Sequence, residues 1–157
     1  MIPNQLSYPL DQDSAKIVER QVLATKWPQA LWPNVGRLIN IKVISDSTTL
    51  TTGDGKVIFN IPEELNNTLV IAAHAFVTTV SSSGLVTVQV RNVTDSVDLL
   101  TTAITIDASE FDSYTAATPM VINFANAQLA KSDRIAIDVD GAGTGAKGLS
   151  VILSVQS

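Results

Sequence analysis

Alternation of apolar and polar residues with a period of two runs through most of the chain, from residue 38 to residue 155. It is clearest near the C-terminus, where Leu149, Val151, Leu153 and Val155 are separated by serine and isoleucine residues. Successive side chains of a β-strand point to opposite faces, so this spacing predicts a strand with one buried face and one mostly solvated face.

The same period predicts further strands upstream. The residues that share one face of each strand are Ile39, Ile41 and Val43; Val57, Phe59 and Ile61; Val86, Val88 and Val90; Thr102, Ile104 and Ile106; and Ile135, Ile137 and Val139. A short apolar run at residues 120–122 predicts one more strand. The glycine-rich residues 141–148 join the last two long runs, and this predicts a hairpin with a flexible loop.

Residues 69–77 break the alternation, because they are apolar on both faces apart from His74. Such a run is typical of a central strand that is covered on each side. It is too short to cross a membrane, which takes about 20 residues. About eight strands separated by turn signals predict an all-β fold, an antiparallel two-sheet β-sandwich with a jelly-roll topology.

Composition supports one domain of ordinary stability. A chain of 157 residues has no cysteine and only 16% charged residues, against about 25% in typical proteins. A domain near this size buries roughly 68–70% of the surface of its unfolded chain. We therefore expect a core that needs neither metal nor disulfide, under a surface solvated more by serine and threonine than by ions.

The net charge of −5 is unevenly distributed. Residues 1–56 hold six basic and five acidic side chains, so the remainder carries −6. Nucleic-acid binding needs a clustered basic face, which an acidic body does not supply. The N-terminus lacks the basic start and apolar core of a secretory signal. We expect no nucleic-acid partner and no membrane partner.

Residues 1–37 differ from the rest and are predicted to form an N-terminal arm or docking segment, ahead of a β-sandwich domain at residues 38–157. Both tryptophans lie here, in a stretch with Pro28 and Pro33. Proline fixes φ and disfavours helix before it, which predicts extended chain. Residues 14–26 could form a short helix capped by Ser14.

The tryptophans of this segment have two interpretations. They could cover an open edge of their own sandwich, as large aromatic side chains are usually buried in their own chain. They could instead anchor an arm on another subunit. Both hold if the covered surface belongs to a neighbouring copy. The candidate partner-docking residues are Ile17, Val18, Val22, Trp27, Leu31 and Trp32.

Candidate catalytic groups are few. His74 is the sole histidine, has alanine on both sides and has no cysteine to pair with, so we interpret it as a core or interface residue. A phosphate-binding loop with Lys147 would need glycine at 146 and a hydroxyl residue at 148, where the chain has Ala146 and Gly148. A strand follows this loop, whereas phosphate sites need a helix N-terminus. We predict no catalytic residue and no cofactor.

Acidic residues of the predicted loops are the remaining candidates. The run from Asp138 has Gly143 at its sixth position but Leu149 at its twelfth, where a calcium-binding EF-hand loop has glutamate. We expect solvated carboxylates and no metal site, although calcium binding by loops stays open. Paired carboxylates for sugar hydrolysis also stay open, but nothing singles out a pair.

Four stretches carry a resemblance to a known family. They are residues 53–66 (GDGKVIFNIPEELN), 91–100 (RNVTDSVDLL), 104–108 (ITIDA) and 133–148 (DRIAIDVDGAGTGAKG). They resemble a β-sandwich module of virion structural proteins of tailed bacteriophages, over about two-thirds of the chain. The resemblance implies a particle protein of heads, necks or fibres, with no catalytic residues to transfer.

From this resemblance we expect a non-enzymatic capsid decoration, or cement, protein on the outer surface of the virion capsid. Its expected partner is the major capsid protein or another virion protein. The resemblance also implies a homotrimer, in which several arms would engage one lattice at once. The alternative is a receptor- or glycan-binding module of a tail or head fibre, with Tyr114 as its stacking platform. A hydrolase on the same fold ranks last.

Overall fold

The computed structural model describes residues 36–157. The predicted N-terminal arm, its short helix and the six candidate docking residues lie outside this part of the chain. The division at residue 37 therefore stays a prediction.

Eleven strands and one turn of 3-10 helix (Glu63–Leu65) form within the described residues. The strands are β1 (Arg37–Lys42), β2 (Gly53–Asn60), β3 (Thr68–Thr79), β4 (Val86–Asn92), β5 (Val97–Asp98), β6 (Leu100–Thr102), β7 (Ile104–Ile106), β8 (Val121–Ile122), β9 (Gln128–Leu129), β10 (Arg134–Ala142) and β11 (Lys147–Gln156).

The strands form two main antiparallel sheets. The front sheet has the order β1-β11-β3-β9, and the back sheet has the order β2-β10-β4-β5, with β7 also paired to β4. A small ribbon pairs β6 with β8. The first strand thus pairs with the last, the second with the second from last, and the third with the third from last. The two antiparallel sheets confirm the prediction of an all-β sandwich, while the jelly-roll topology stays a prediction.

The core lies between the two sheets and is built from the alternating apolar positions. Val151 and Leu153 of the front sheet, and Ile137 and Val88 of the back sheet, are at most 1% exposed. Removing several methylenes from such a site costs about 2–5 kcal/mol, because the neighbours cannot collapse fully into the cavity. The predicted strand positions are therefore also the positions that hold the sheets together.

The predicted hairpin between the last two strands is wrong. β10 lies in the back sheet and β11 in the front sheet, so the chain crosses the sandwich between them. The connecting loop is held: the Thr144 amide donates to Ser81 Oγ and to the Ser83 carbonyl, both at 2.9 Å. These bonds disfavour the flexibility predicted for this loop.

The single strand predicted from Thr102 to Ile106 is also wrong. The chain forms two short strands there, β6 and β7, which pair with β8 and β4 respectively. A break at Ala103 separates them. Periodicity is continuous across this break, so it does not reveal that the two halves have different partners.

Candidate docking surface

The outward side of the front sheet, called here the front face, is arranged in rows by the strand register. Opposed residues on antiparallel strands point to the same side. One row holds Lys42, Ser150, Phe76 and Asp112; the next holds Asn40, Ile152, His74 and Tyr114; and a third holds Leu38, Ser154 and Ala72.

Residues 111–114, which follow β7 in the chain, complete these rows. The Val77 amide donates to the Phe111 carbonyl at 2.8 Å, and the Ser113 amide donates to the Ala75 carbonyl at 3.0 Å. The Ser113 hydroxyl accepts from the Ala75 amide, also at 3.0 Å. These bonds extend the front sheet beyond β3 and bring the next residue along, Tyr114, over β3.

Tyr114 stacks on His74 at the edge of the front face. Their ring centroids are 4.3 Å apart with an interplanar angle of 30°. Tyr114 is nevertheless 70% exposed, so much of its surface faces solvent. The histidine is half-buried at a surface, which agrees with an interface residue more than with a core residue.

The prediction that the strand at residues 69–77 is covered on both sides is wrong. In β3 the inward-facing residues Val70, Ala75 and Val77 are at most 3% exposed, while the outward-facing His74 and Phe76 are only half-buried. No second layer formed by residues 36–157 seals this side of the strand. The apolar character of the outward positions is therefore unexplained by the fold of the described residues.

Acidic and basic side chains are sparse on the front face. In the three rows they are Lys42 and Asp112, at opposite ends of one row. Lys42 is already paired with Asp46. The centre of the face is the half-buried Ile152, which lies between Asn40 and His74, while Ser150 is only 3% exposed. Covering a face with few charges costs less hydration free energy than covering one with several carboxylates.

The outward side of the back sheet, called here the back face, has the opposite chemistry. Asp138 of β10 is 6% exposed and accepts from Arg91, with Nε to Oδ2 at 2.8 Å and Nη2 to Oδ1 at 3.2 Å. The Gly55 amide also donates to its Oδ1 at 2.5 Å. Strand register places Asp98 opposite Arg91, so one guanidinium lies among several carboxylates.

Two carboxyl groups on this face have pKa values displaced in opposite directions. Burial, the largest effect, favours the neutral form of Asp138, but the hydrogen bonds from Arg91 and Gly55 together with the charge of Arg91 outweigh it and lower its pKa below 3.8. Burial and the charges of Asp138, Asp54 and Asp98 raise the pKa of Asp140. The hydrogen bond and charge of Asp138 also raise the pKa of Arg91.

The carboxylates do not assemble a metal centre in the described part of the chain. No group of three His, Cys, Asp or Glu side chains within residues 36–157 is arranged to hold a metal ion. The buried Asp133 is bound instead by Asn92 Nδ2 at 2.9 Å and by the Ala130 amide at 2.9 Å, which is a structural network.

Sequence reasoning missed Phe76 as a surface residue, whereas it placed Ile152 on the solvated face of its strand. The signal was present, because residues 69–77 are apolar on both faces. It was interpreted as burial by the protein's own chain, whereas the structure leaves one side partly open.

Comparison of the sequence with protein-family models and with curated proteins finds no match. No helix within residues 36–157 is long and apolar enough to cross a membrane.

Proposed function

We propose that this protein is a non-enzymatic virion structural protein, most simply a capsid decoration protein that docks on the phage head through its front face. The observation that carries this proposal is the contrast between the two outward faces: the front face is largely uncharged and partly apolar, while the back face carries the ion pair and its surrounding carboxylates.

Desolvation decides which face would dock. Covering the back face would take Asp54, Asp98 and Asp140 out of water, and an unpaired buried charge costs several kcal/mol. Covering the front face removes apolar and hydroxyl surface, and the apolar part contributes about 25 cal/mol per Å². The proposed orientation therefore places the front face on the head and the back face in solvent.

The predicted arm, residues 1–37, would add a second set of contacts besides the front face. Tryptophan residues of such an arm would supply anchors for a neighbouring subunit or for the capsid protein. A trimer would present three arms and three front faces, so that weak contacts combine into firm attachment.

The test compares the same substitution on the front face and away from it. Ile152→Lys places a charge at the centre of the front face, and Leu85→Lys places it in the loop between β3 and β4, where Leu85 is 49% exposed. We expect the purified Ile152→Lys protein to lose rebinding to heads stripped of this protein, and Leu85→Lys to rebind normally. Deletion of residues 1–37 should also weaken rebinding.

Folding of each variant is checked by its thermal unfolding. A folded Ile152→Lys protein that rebinds as well as the unmodified chain would exclude the front face as the docking surface. Normal rebinding after deletion of residues 1–37 would exclude the arm.

The alternative function, a receptor- or glycan-binding module, is favoured by one observation. Tyr114 is an exposed aromatic side chain stacked on His74. The carboxylate of Asp112 lies nearby and accepts a hydrogen bond from the Tyr114 amide at 2.9 Å. An aromatic face beside a carboxylate can stack on a sugar ring and accept from its hydroxyls. Selective binding on a glycan array that is lost in Tyr114→Ala and kept after deletion of residues 1–37 would favour this function.

A further inference from the structure

Two lateral sides of the sandwich lie at opposite ends of both sheets. The first, called the β1/β2 side, comprises residues 37–60, because β1 and β2 begin the two sheet orders. The second, called the 92–130 side, comprises residues 92–130, because β5 and β9 end them and the segments between close that end.

Exposed apolar side chains concentrate on these two sides. Eight large hydrophobic side chains within residues 36–157 are exposed, and six of them lie there. The β1/β2 side has Leu38 and Ile58; the 92–130 side has Phe111, Tyr114, Val121 and Phe124. Exposed apolar groups gathered at particular places on a surface indicate contact with another protein.

The charges of the two sides are complementary. The 92–130 side has five acidic residues and no lysine, arginine or histidine. The acidic residues are Asp95, Asp98, Asp107, Glu110 and Asp112. The β1/β2 side has three basic residues against two acidic ones: Arg37, Lys42 and Lys56 against Asp46 and Asp54.

Like-to-like contact is disfavoured on each side. Two copies of the 92–130 side would bring ten carboxylates together with no cation. Two copies of the β1/β2 side would bring six basic residues together with four acidic ones, which also disfavours their contact. Electrostatic attraction is therefore expected only between the β1/β2 side of one copy and the 92–130 side of another.

We propose that copies of this chain associate head to tail, with the β1/β2 side of one copy against the 92–130 side of the next. Leu38 and Tyr114 both point outward from the front sheet, at its two ends. A rotation axis perpendicular to this sheet therefore brings Leu38 of one copy to Tyr114 of the next, and keeps every front face on the same side.

Repeated head-to-tail contacts close into a ring when the rotation between copies divides a full turn. The expected number of three copies rests on the proposed function. The head-to-tail contact does not, since it joins only copies of this chain.

The test measures the assembly of the full-length chain in solution, without heads, by native mass spectrometry and sedimentation velocity. We expect a ring of more than two copies that dissociates as salt is raised, because the complementary charges are screened. Leu38→Asp should raise the apparent dissociation constant at least about tenfold, which corresponds to ~1.4 kcal/mol. Leu85→Asp is the matched control, since Leu85 is 49% exposed in the loop between β3 and β4 and belongs to neither side.

A mixing experiment tests the head-to-tail arrangement itself. Phe124→Asp blocks the 92–130 side, and Leu38→Asp blocks the β1/β2 side; both residues are more than 60% exposed, so the fold should tolerate the changes. Each variant alone should be monomeric. Mixed together they should form heterodimers and nothing larger, because one intact contact remains and the ring cannot close.

Three results would overturn the proposal: an unmodified chain that is monomeric or a symmetric dimer, an intact ring in folded Leu38→Asp or Phe124→Asp, or no heterodimer on mixing. An intact ring that does not bind heads would count against the proposed function alone. Head binding by a chain that stays monomeric would count against the head-to-tail contact alone.

Discussion

Asparagine substitutions at two neighbouring aspartates of the back face should change stability in opposite directions. Asp138→Asn and Asp140→Asn remove the same charge from β10, two residues apart. The comparison therefore holds net charge and side-chain size constant. What differs is the partner: Asp138 is bound by Arg91 and Gly55, while Asp140 faces other carboxylates.

The cost of Asp138→Asn follows from the bonds that it breaks. Removing one partner of a fully buried ion pair costs about 3–5 kcal/mol. The side chain of Arg91 is 33% exposed, so water can solvate part of the freed guanidinium, and the Gly55 amide can still donate to the asparagine oxygen. We expect a loss of about 2–3 kcal/mol, or roughly 8–12 °C in the melting temperature of a domain near this size.

Asp140→Asn should raise stability slightly at neutral pH. The raised pKa of Asp140 means that the folded state disfavours its carboxylate relative to the unfolded chain. Asp140 is exposed and its repulsion is screened, so we expect a gain of no more than about 0.5 kcal/mol.

The pH dependence supplies a second check of the same reasoning. The lowered pKa of Asp138 gives stability that is fully present above its ordinary value of 3.8 and is lost as pH falls through the folded-state value. The deficit of Asp138→Asn should therefore shrink in acid. The gain of Asp140→Asn should begin to decrease as pH falls through the raised pKa and should vanish below the ordinary value of 3.8, where Asp140 is protonated in both the folded and the unfolded chain.

Urea unfolding followed by circular dichroism, at neutral pH and at about pH 3, measures both effects through the midpoint and slope of each transition. Equal stability of the two variants at neutral pH, or a more stable Asp138→Asn, would refute the assignment of Asp138 as the stabilised member of the cluster.

Two more predictions concern the described fold. Gly148→Ala should destabilise by several kcal/mol, because φ is +60° and the new Cβ would lie 2.7 Å from the backbone of Asp46; Gly145→Ala, with φ of +75° and open space around it, should lose only about 1 kcal/mol by the same urea assay. Asn92→Ala should cost about 2–3 kcal/mol, because it removes one of the two donors to the buried Asp133 carboxylate and leaves only the Ala130 amide. Asn126→Ala, which loses one 3.4 Å bond at the surface, should stay within about 0.5 kcal/mol in thermal unfolding, and similar losses at both asparagines would contradict this account.

Much of the strand content could be predicted because strand periodicity is local. The alternation at Leu149 to Val155 identifies both the strand and its buried face, and the same holds for the run around Val88. Around Ile137 the alternation identifies the strand, but Asp138 on the opposite face is buried too, against the expectation of a solvated carboxylate. The exceptions are places where the period continues but the partner changes, as at Ala103. His74 lies half-buried at a surface, and its interface role stays a prediction.

The sequence by itself determined an all-β chain, its inward-facing residues and the scarcity of catalytic groups, because each depends on residue type and on spacing of one or two positions. Only the tertiary structure decided which strands pair, since Lys42 meets Ser150 and Arg91 meets Asp138 across long stretches of chain. That pairing gathers charge on the back face and leaves the front face nearly free of it. A strand pattern tells which side chains point away from the core, but the neighbours of those side chains are fixed by register, and register is a property of the folded sheets.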